Sequence, residues 1–179
     1  MTQRYTRTAI LLHWLMALGL VGTFVLGFYM EGLSFSPSKL KLIAWHKWAG
    51  ISLLLLFVVR LAWRLFHRTP ELPSDMGQLS RLAAHAGHAL LYVLMLAIPL
   101  TGWLASSAQG VSVVWFGIWP LPDLISKNPD LGARLQDAHM VLNYLLLVVV
   151  IGHVGAALQH HFIKKDTVLA RMLPFLARQ

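Results

Sequence analysis

Hydrophobic residues fall into four long runs, from about Ala9 to Tyr29, Leu42 to Trp63, Leu82 to Ala105 and Ala138 to Phe162. Each approaches or exceeds the roughly 20 residues with which a helix crosses about 30 Å of hydrocarbon. In lipid every backbone N–H and C=O needs a partner inside the protein, so the runs predict helices rather than open strands. Pro99 lies inside the third run and predicts a kink there. Arg4 and Arg7 precede the first run as they would a signal sequence, but the run is long for a signal core. It also lacks a small-x-small cleavage site before Glu31, so it reads as a retained span. The expected fold class is all-α, a four-helix transmembrane bundle in a single domain over 1–179.

The connectors differ in character. His67–Ser80 is polar and contains prolines, whereas Ser106–Asp137 includes the apolar, aromatic stretch Val111–Pro122. That stretch predicts an interfacial lid with Trp115 and Trp119 at headgroup level. The tail from Thr167 to Leu176 reads as a short interfacial helix, and no internal repeat or low-complexity segment interrupts the chain. Arg4, Arg7, Arg60, Arg64, Arg68, Arg81, Lys164, Lys165, Arg171 and Arg178 flank one side of the spans. Lys39, Lys41, Lys47, Lys127 and Arg134 flank the other. The richer side is expected to be cytoplasmic, with both termini inside.

Composition sharpens the picture. The chain is 57% hydrophobic and 12% charged, too little charge for a solvated domain of 179 residues. Its formal charge of +8 calls for no nucleic acid, since basic loops account for it. Zero cysteines exclude disulfides, thiolate metal sites, iron–sulfur clusters and covalent haem attachment through C-x-x-C-H. Nine histidines against seven acidic residues point to imidazole as the working side chain.

Polar residues inside a span are costly, and here histidines fall on all four: His13, His46, His85 with His88, and His139 with His153, followed by His160 and His161. His139 and His153 are fourteen residues apart, within roughly 40° of four full turns, so both rings leave one face about 21 Å apart. His46 shares the outer depth with His139, and His13 and His88 share the inner depth with His153. Two imidazoles at a level can grip one haem iron from both sides, whereas zinc wants three or four ligands at one point. Two non-covalent haems are therefore expected. Gly50, one turn after His46, leaves room for a macrocycle, while Gly152 and Gly155 beside His153 fit helix packing equally well. Depth alone leaves His13 and His88 both open as the second inner ligand.

The sequence resembles the bacterial cytochrome b561 family of four-helix di-haem membrane proteins, and within it the superoxide oxidases. The resemblance runs through Tyr5-x-Arg7, Ile10-x-x-His13-Trp14, His46-x-x-x-Gly50 and Val59-Arg60-Leu61 with Arg64. It continues in His85-x-Gly87-His88, Tyr92 with Pro99-x-x-Gly102, Trp115-Phe116 and His139. It closes with His153-x-x-Ala156-Ala157-Leu158-x-His160-His161 and Lys165-Asp166-x-x-Leu169-x-Arg171-Met172. It implies two haem b groups, the outer on His46 and His139 and the inner on His13 and His153, with His88 the alternative ligand. It also implies a membrane oxidoreductase that takes electrons from periplasmic superoxide to ubiquinone across the bacterial inner membrane.

Quinone reduction needs protons, for which His85, His88 and His160 are candidates, while His161 reads equally as an interfacial residue beside Lys164 and Lys165. Arg60 and Arg64 suit haem propionates or the membrane edge. Lys39, Lys41, Lys47 and Arg134 would steer superoxide, or simply flank the spans. The alternative function is an electron-relay subunit docking a protein partner, such as a hydrogenase or a soluble cytochrome. A histidine-lined metal transporter would show no haem absorbance at all.

Overall fold

The computed structural model describes residues 4–73 and 76–176; Arg178, counted above among the inner-side bases, lies outside them. Four helices form the body: α1 Arg7–Glu31, α2 Pro37–Phe66, α3 Gln78–Ala108 and α4 Pro129–Gln159. All four are long and apolar enough to cross a membrane. Three starts are built by side-chain caps that satisfy free helical N–H groups. Thr6 accepts from the N–H of Ala9, Ser36 from Lys39 and Asn128 from Leu131, at 3.1–3.2 Å. Pro37 and Pro129 in the first turns need no N–H there and pre-set the backbone.

Every helix extends beyond its apolar run, most of all α4, which begins at Pro129 rather than near Ala138. The added turns carry Asp130, Arg134 and Asp137, so hydropathy ends where helix geometry continues past the hydrocarbon. α3 runs through Pro99 as one continuous helix. The tail is corrected as well: Thr167–Leu176 is not one helix but two single 3-10 turns, Leu169–Arg171 and Pro174–Leu176. Pro174 lacks the N–H that would continue a helix across that point. These turns are tied to the end of the bundle at which α1 begins. The Trp14 indole donates to the Met172 carbonyl at 2.9 Å, and Arg171 donates to the carbonyl of Glu71.

The helices associate as two hairpins, α1 with α2 and α3 with α4, joined by a thinner α2–α3 contact. The buried core is small: Leu94, Ile98 and Leu146, with Leu20, Leu91, Leu142, Val149 and Val150 packed against it. Leu146 is seven residues from both His139 and His153, so the core is an apolar layer between the two histidine levels. The opposite faces are bare hydrocarbon, with Leu18, Phe28 and Val148 each about two-thirds exposed. Such faces suit lipid, where apolar exposure carries no penalty.

Between α3 and α4 the Val111–Pro122 stretch folds into a small antiparallel hairpin, β1 Val114–Trp115 on β2 Trp119–Pro120. Phe116 and Gly117 both take positive φ at its tip, 52° and 71°. Three indoles pin this hairpin and its flanks to the bundle. Trp48 donates to the Val114 carbonyl at 2.7 Å, Trp103 to the Pro122 carbonyl at 3.1 Å, and Trp115 to the Ser52 hydroxyl at 3.2 Å. Trp115 therefore faces inward onto α2, while Trp119 is exposed.

Candidate functional site

The histidines meet across helices, two of the three approaches joining helices whose backbones stand apart. His46 of α2 faces His139 of α4 with ring centroids 6.2 Å apart. His13 of α1 faces His153 of α4 at 6.3 Å, and His88 of α3 approaches the same His153 at 5.4 Å. α4 has no extensive backbone contact with α1 or α2, so the imidazoles project into a gap rather than a packed seam. At the outer level that gap is a cavity bounded by all four helices, including Thr23, Gly50, Met95 and Asn143.

Haem can be tested against this geometry. An iron held between two imidazoles, with metal–nitrogen bonds of about 2 Å, puts the ring centres about 6.3 Å apart. The outer pair and the His13–His153 pair both match, and the His88–His153 approach is shorter. At the outer level the supporting contacts also fit. The Nδ1–H of His139 donates to the Ile98 carbonyl at 2.8 Å, which fixes the tautomer and leaves the Nε2 lone pair for a metal. The Asn143 amide, one turn on, donates to the His139 carbonyl at 2.7 Å. Nδ1 of His46 is buried against α1 beside Gly27.

Two glycines back these rings. A methyl group at Gly27 would lie 3.1 Å from Cε1 of His46, and one at Gly102 would lie 3.1 Å from Cε1 of His139. Each absent side chain therefore admits an imidazole from the neighbouring helix. Gly50 has open space beside it and borders the outer cavity, as its spacing from His46 implied. Gly152 and Gly155 also face open space, so neither serves a close helix crossing among the described residues.

The inner level is more polar. Arg60 donates to Nδ1 of His13 at 3.0 Å, and the Arg64 guanidinium lies 5.1 Å over the Tyr92 ring. Neither arginine has an acidic partner among the described residues. His85 is exposed on α3, one turn before His88. His160 is buried and bound to Asp166, while His161 is partly exposed against Phe162.

Of the outer bases, Lys39 is engaged structurally: its ammonium bonds the Leu33 carbonyl at 2.6 Å and the Glu31 carbonyl at 3.4 Å, capping the end of α1. Lys47 follows His46 and reaches the Val111 carbonyl of the lid at 3.5 Å. Lys41 and Arg134 are exposed. Sequence reasoning gave no role to Gly27, Asn143 or Asp166; only the spacing Pro99-x-x-Gly102 and the Lys165-Asp166 pair touched on these surroundings.

Comparison with known proteins agrees with the geometry. The family model described as prokaryotic cytochrome b561 matches residues 4–175. "Cytochrome b561 homolog 2" of Escherichia coli (strain K12) is 37% identical over 96% of this chain and 92% of its own length. The Yersinia pestis protein named "Probable superoxide oxidase CybB" is 30% identical over 97% of this chain and 98% of its own. "Cytochrome b561 homolog 1" of Escherichia coli (strain K12) is 29% identical over 96% and 97% respectively. Four membrane-crossing helices, facing imidazoles and a match over nearly the whole length place this chain in the prokaryotic cytochrome b561 family, whose members are haem b electron-transfer proteins of the bacterial membrane.

Proposed function

We propose that this protein oxidises superoxide at its outer face and delivers the electrons to a quinone at its inner face, with both termini cytoplasmic. The observation that carries the reading is the two-level pairing of imidazoles at ring separations of 6.2 and 6.3 Å, with α4 contributing to both levels. In this reading His46 and His139 hold an outer haem b, and His13 and His153 an inner one. Haem bound between two histidines supplies one-electron transfer at an iron with no open position for oxygen.

The protein's own residues orient, anchor and steer. Ile98 holds the His139 ring through its carbonyl. Arg60 and Arg64, which have no acidic partner among the described residues, would pair with the propionate carboxylates of a haem held at this level. Lys47, Lys41 and Arg134 give the outer face its positive charge, which raises the encounter rate of a small anion and makes that rate fall with salt. The 30% identical relative's name supports superoxide as that anion.

Purified protein carrying haem, placed in lipid with a quinone, should accelerate superoxide loss with matching quinol formation. Loss of superoxide without quinol, or no acceleration at all, refutes the reading. A reduced-minus-oxidised spectrum of His139→Ala should lose or alter one b-type centre while the other persists.

A further inference from the structure

One carbonyl at the outer level serves two side chains at once. Pro99 has no N–H, so α3 lacks one ladder bond where Ile98, Pro99 and His139 line the outer cavity. The Ile98 carbonyl accepts the Nδ1–H of His139 from α4 at 2.8 Å, and it accepts the hydroxyl of Thr101, three residues on, also at 2.8 Å. The two donors stand 3.4 Å from each other, Oγ to Nδ1, with both hydrogens directed at the same oxygen. Gly102 lets the ring lie there: a Cβ at that position would meet Cε1 at 3.1 Å and Nδ1 at 3.2 Å. Among the described residues no other of the facing rings has a hydroxyl within hydrogen-bonding distance, and His13 is met instead by Arg60.

We propose that Thr101 is a positioning residue that sets the reduction potential of the outer haem, an inference that rests on His46 and His139 holding that haem. A carbonyl oxygen has two lone pairs, and in a helix it also faces the N–H four residues on. Each further donor draws on the same negative charge, so the Thr101 hydroxyl weakens the bond that the Nδ1–H of His139 makes. A ligand histidine becomes more basic as its Nδ1–H bond strengthens, and a more basic Nε2 favours ferric over ferrous iron. By holding that bond in check, Thr101 keeps the outer centre easier to reduce.

The effect is confined to one level. His153 lies fourteen residues further along α4, about 21 Å away, too far for the dipole of one hydroxyl to matter. No proton is gained or lost: one electron enters, and the Nδ1–H and Oγ–H bonds both persist. What Thr101 changes is the balance between two oxidation states. Electron entry at the outer face is made more favourable, and the onward drive to the inner level is correspondingly smaller.

The test is a redox titration of the haem-loaded protein in lipid nanodiscs, followed by optical difference spectra, with the outer centre identified as the one that His139→Ala removes or alters. Thr101→Val keeps the side-chain shape without the hydroxyl, and it should move the outer midpoint to a more negative potential while the inner midpoint stays. Thr101→Ser should keep the wild-type value. In the ferrous protein, proton NMR should place the His139 Nδ1–H resonance further downfield in the valine variant. Thr101→Cys, whose thiol donates weakly, should give a smaller shift in the same direction and serves if valine expels the haem. An outer midpoint that stays or rises in these variants, or two midpoints that shift together, overturns the proposal and leaves the ligand assignment standing. A His139→Ala protein that retains both centres unaltered overturns that assignment and this inference with it.

Discussion

Gly102 shows how a residue with no functional group can shape a candidate haem site. An alanine there would put Cβ 3.1 Å from the His139 ring, a separation that forces the imidazole to move by a few tenths of an ångström. We expect Gly102→Ala, and Gly27→Ala by the same contact with His46, to lower haem retention and shift the outer centre's absorption. Gly152→Ala, facing open space, should leave the haem-to-protein ratio unchanged. For the inner level, His13→Ala should abolish one b-type signal and His88→Ala should preserve both; the opposite pattern in difference spectra would make His88 the ligand. The histidines were legible in the sequence because intramembrane imidazoles are rare and costly. Gly27 and Gly102 were not, because their role depends on which helices are neighbours. Asp166 escaped for a related reason: its contact with His160 exists only after Lys165 turns the chain back.

The spans themselves were readable as apolar runs, whereas their ends were encoded in a different signal. Ser36-Pro37 and Asn128-Pro129 are cap-then-proline pairs, and each starts a helix outside the hydrophobic window. Removing the cap with Asn128→Ala should cost about 1 kcal/mol, seen as faster amide exchange in the first turn of α4. The lid was expected from its aromatic composition, but its hairpin was not, since strands of two residues offer no alternation to read. Its attachment rests on indole donors, so Trp48→Phe or Trp103→Phe should each loosen it by about 1 kcal/mol. Hydrogen exchange across Ser112–Leu121 would register this as a severalfold increase, with the four helices unaffected.

Across the whole molecule, the apolar layer around Leu94, Ile98 and Leu146 holds the two hairpins together between the histidine levels. Leu146→Ala should cost about 2–5 kcal/mol, read from thermal unfolding in nanodiscs, because so small a core has little capacity to close the void. Charge acts at this scale too: the superoxide reaction should slow as ionic strength rises, and Lys47→Gln should flatten that dependence. The four-span architecture and the face shared by His139 and His153 followed from spacing alone. The choice between His13 and His88 did not, because both lie at one depth and only the packing of α1 and α3 around α4 sets their distances to His153.

Because α4 supplies one imidazole to each level, a ribosome that has delivered the first three spans has delivered no complete pair of facing rings. On the proposed ligand assignment, pigment capture awaits insertion of the fourth helix, and both centres become competent together. On the same assignment this helix acts as a ruler: the gap that electrons would cross is written into one continuous stretch of backbone, indifferent to sliding among the other three.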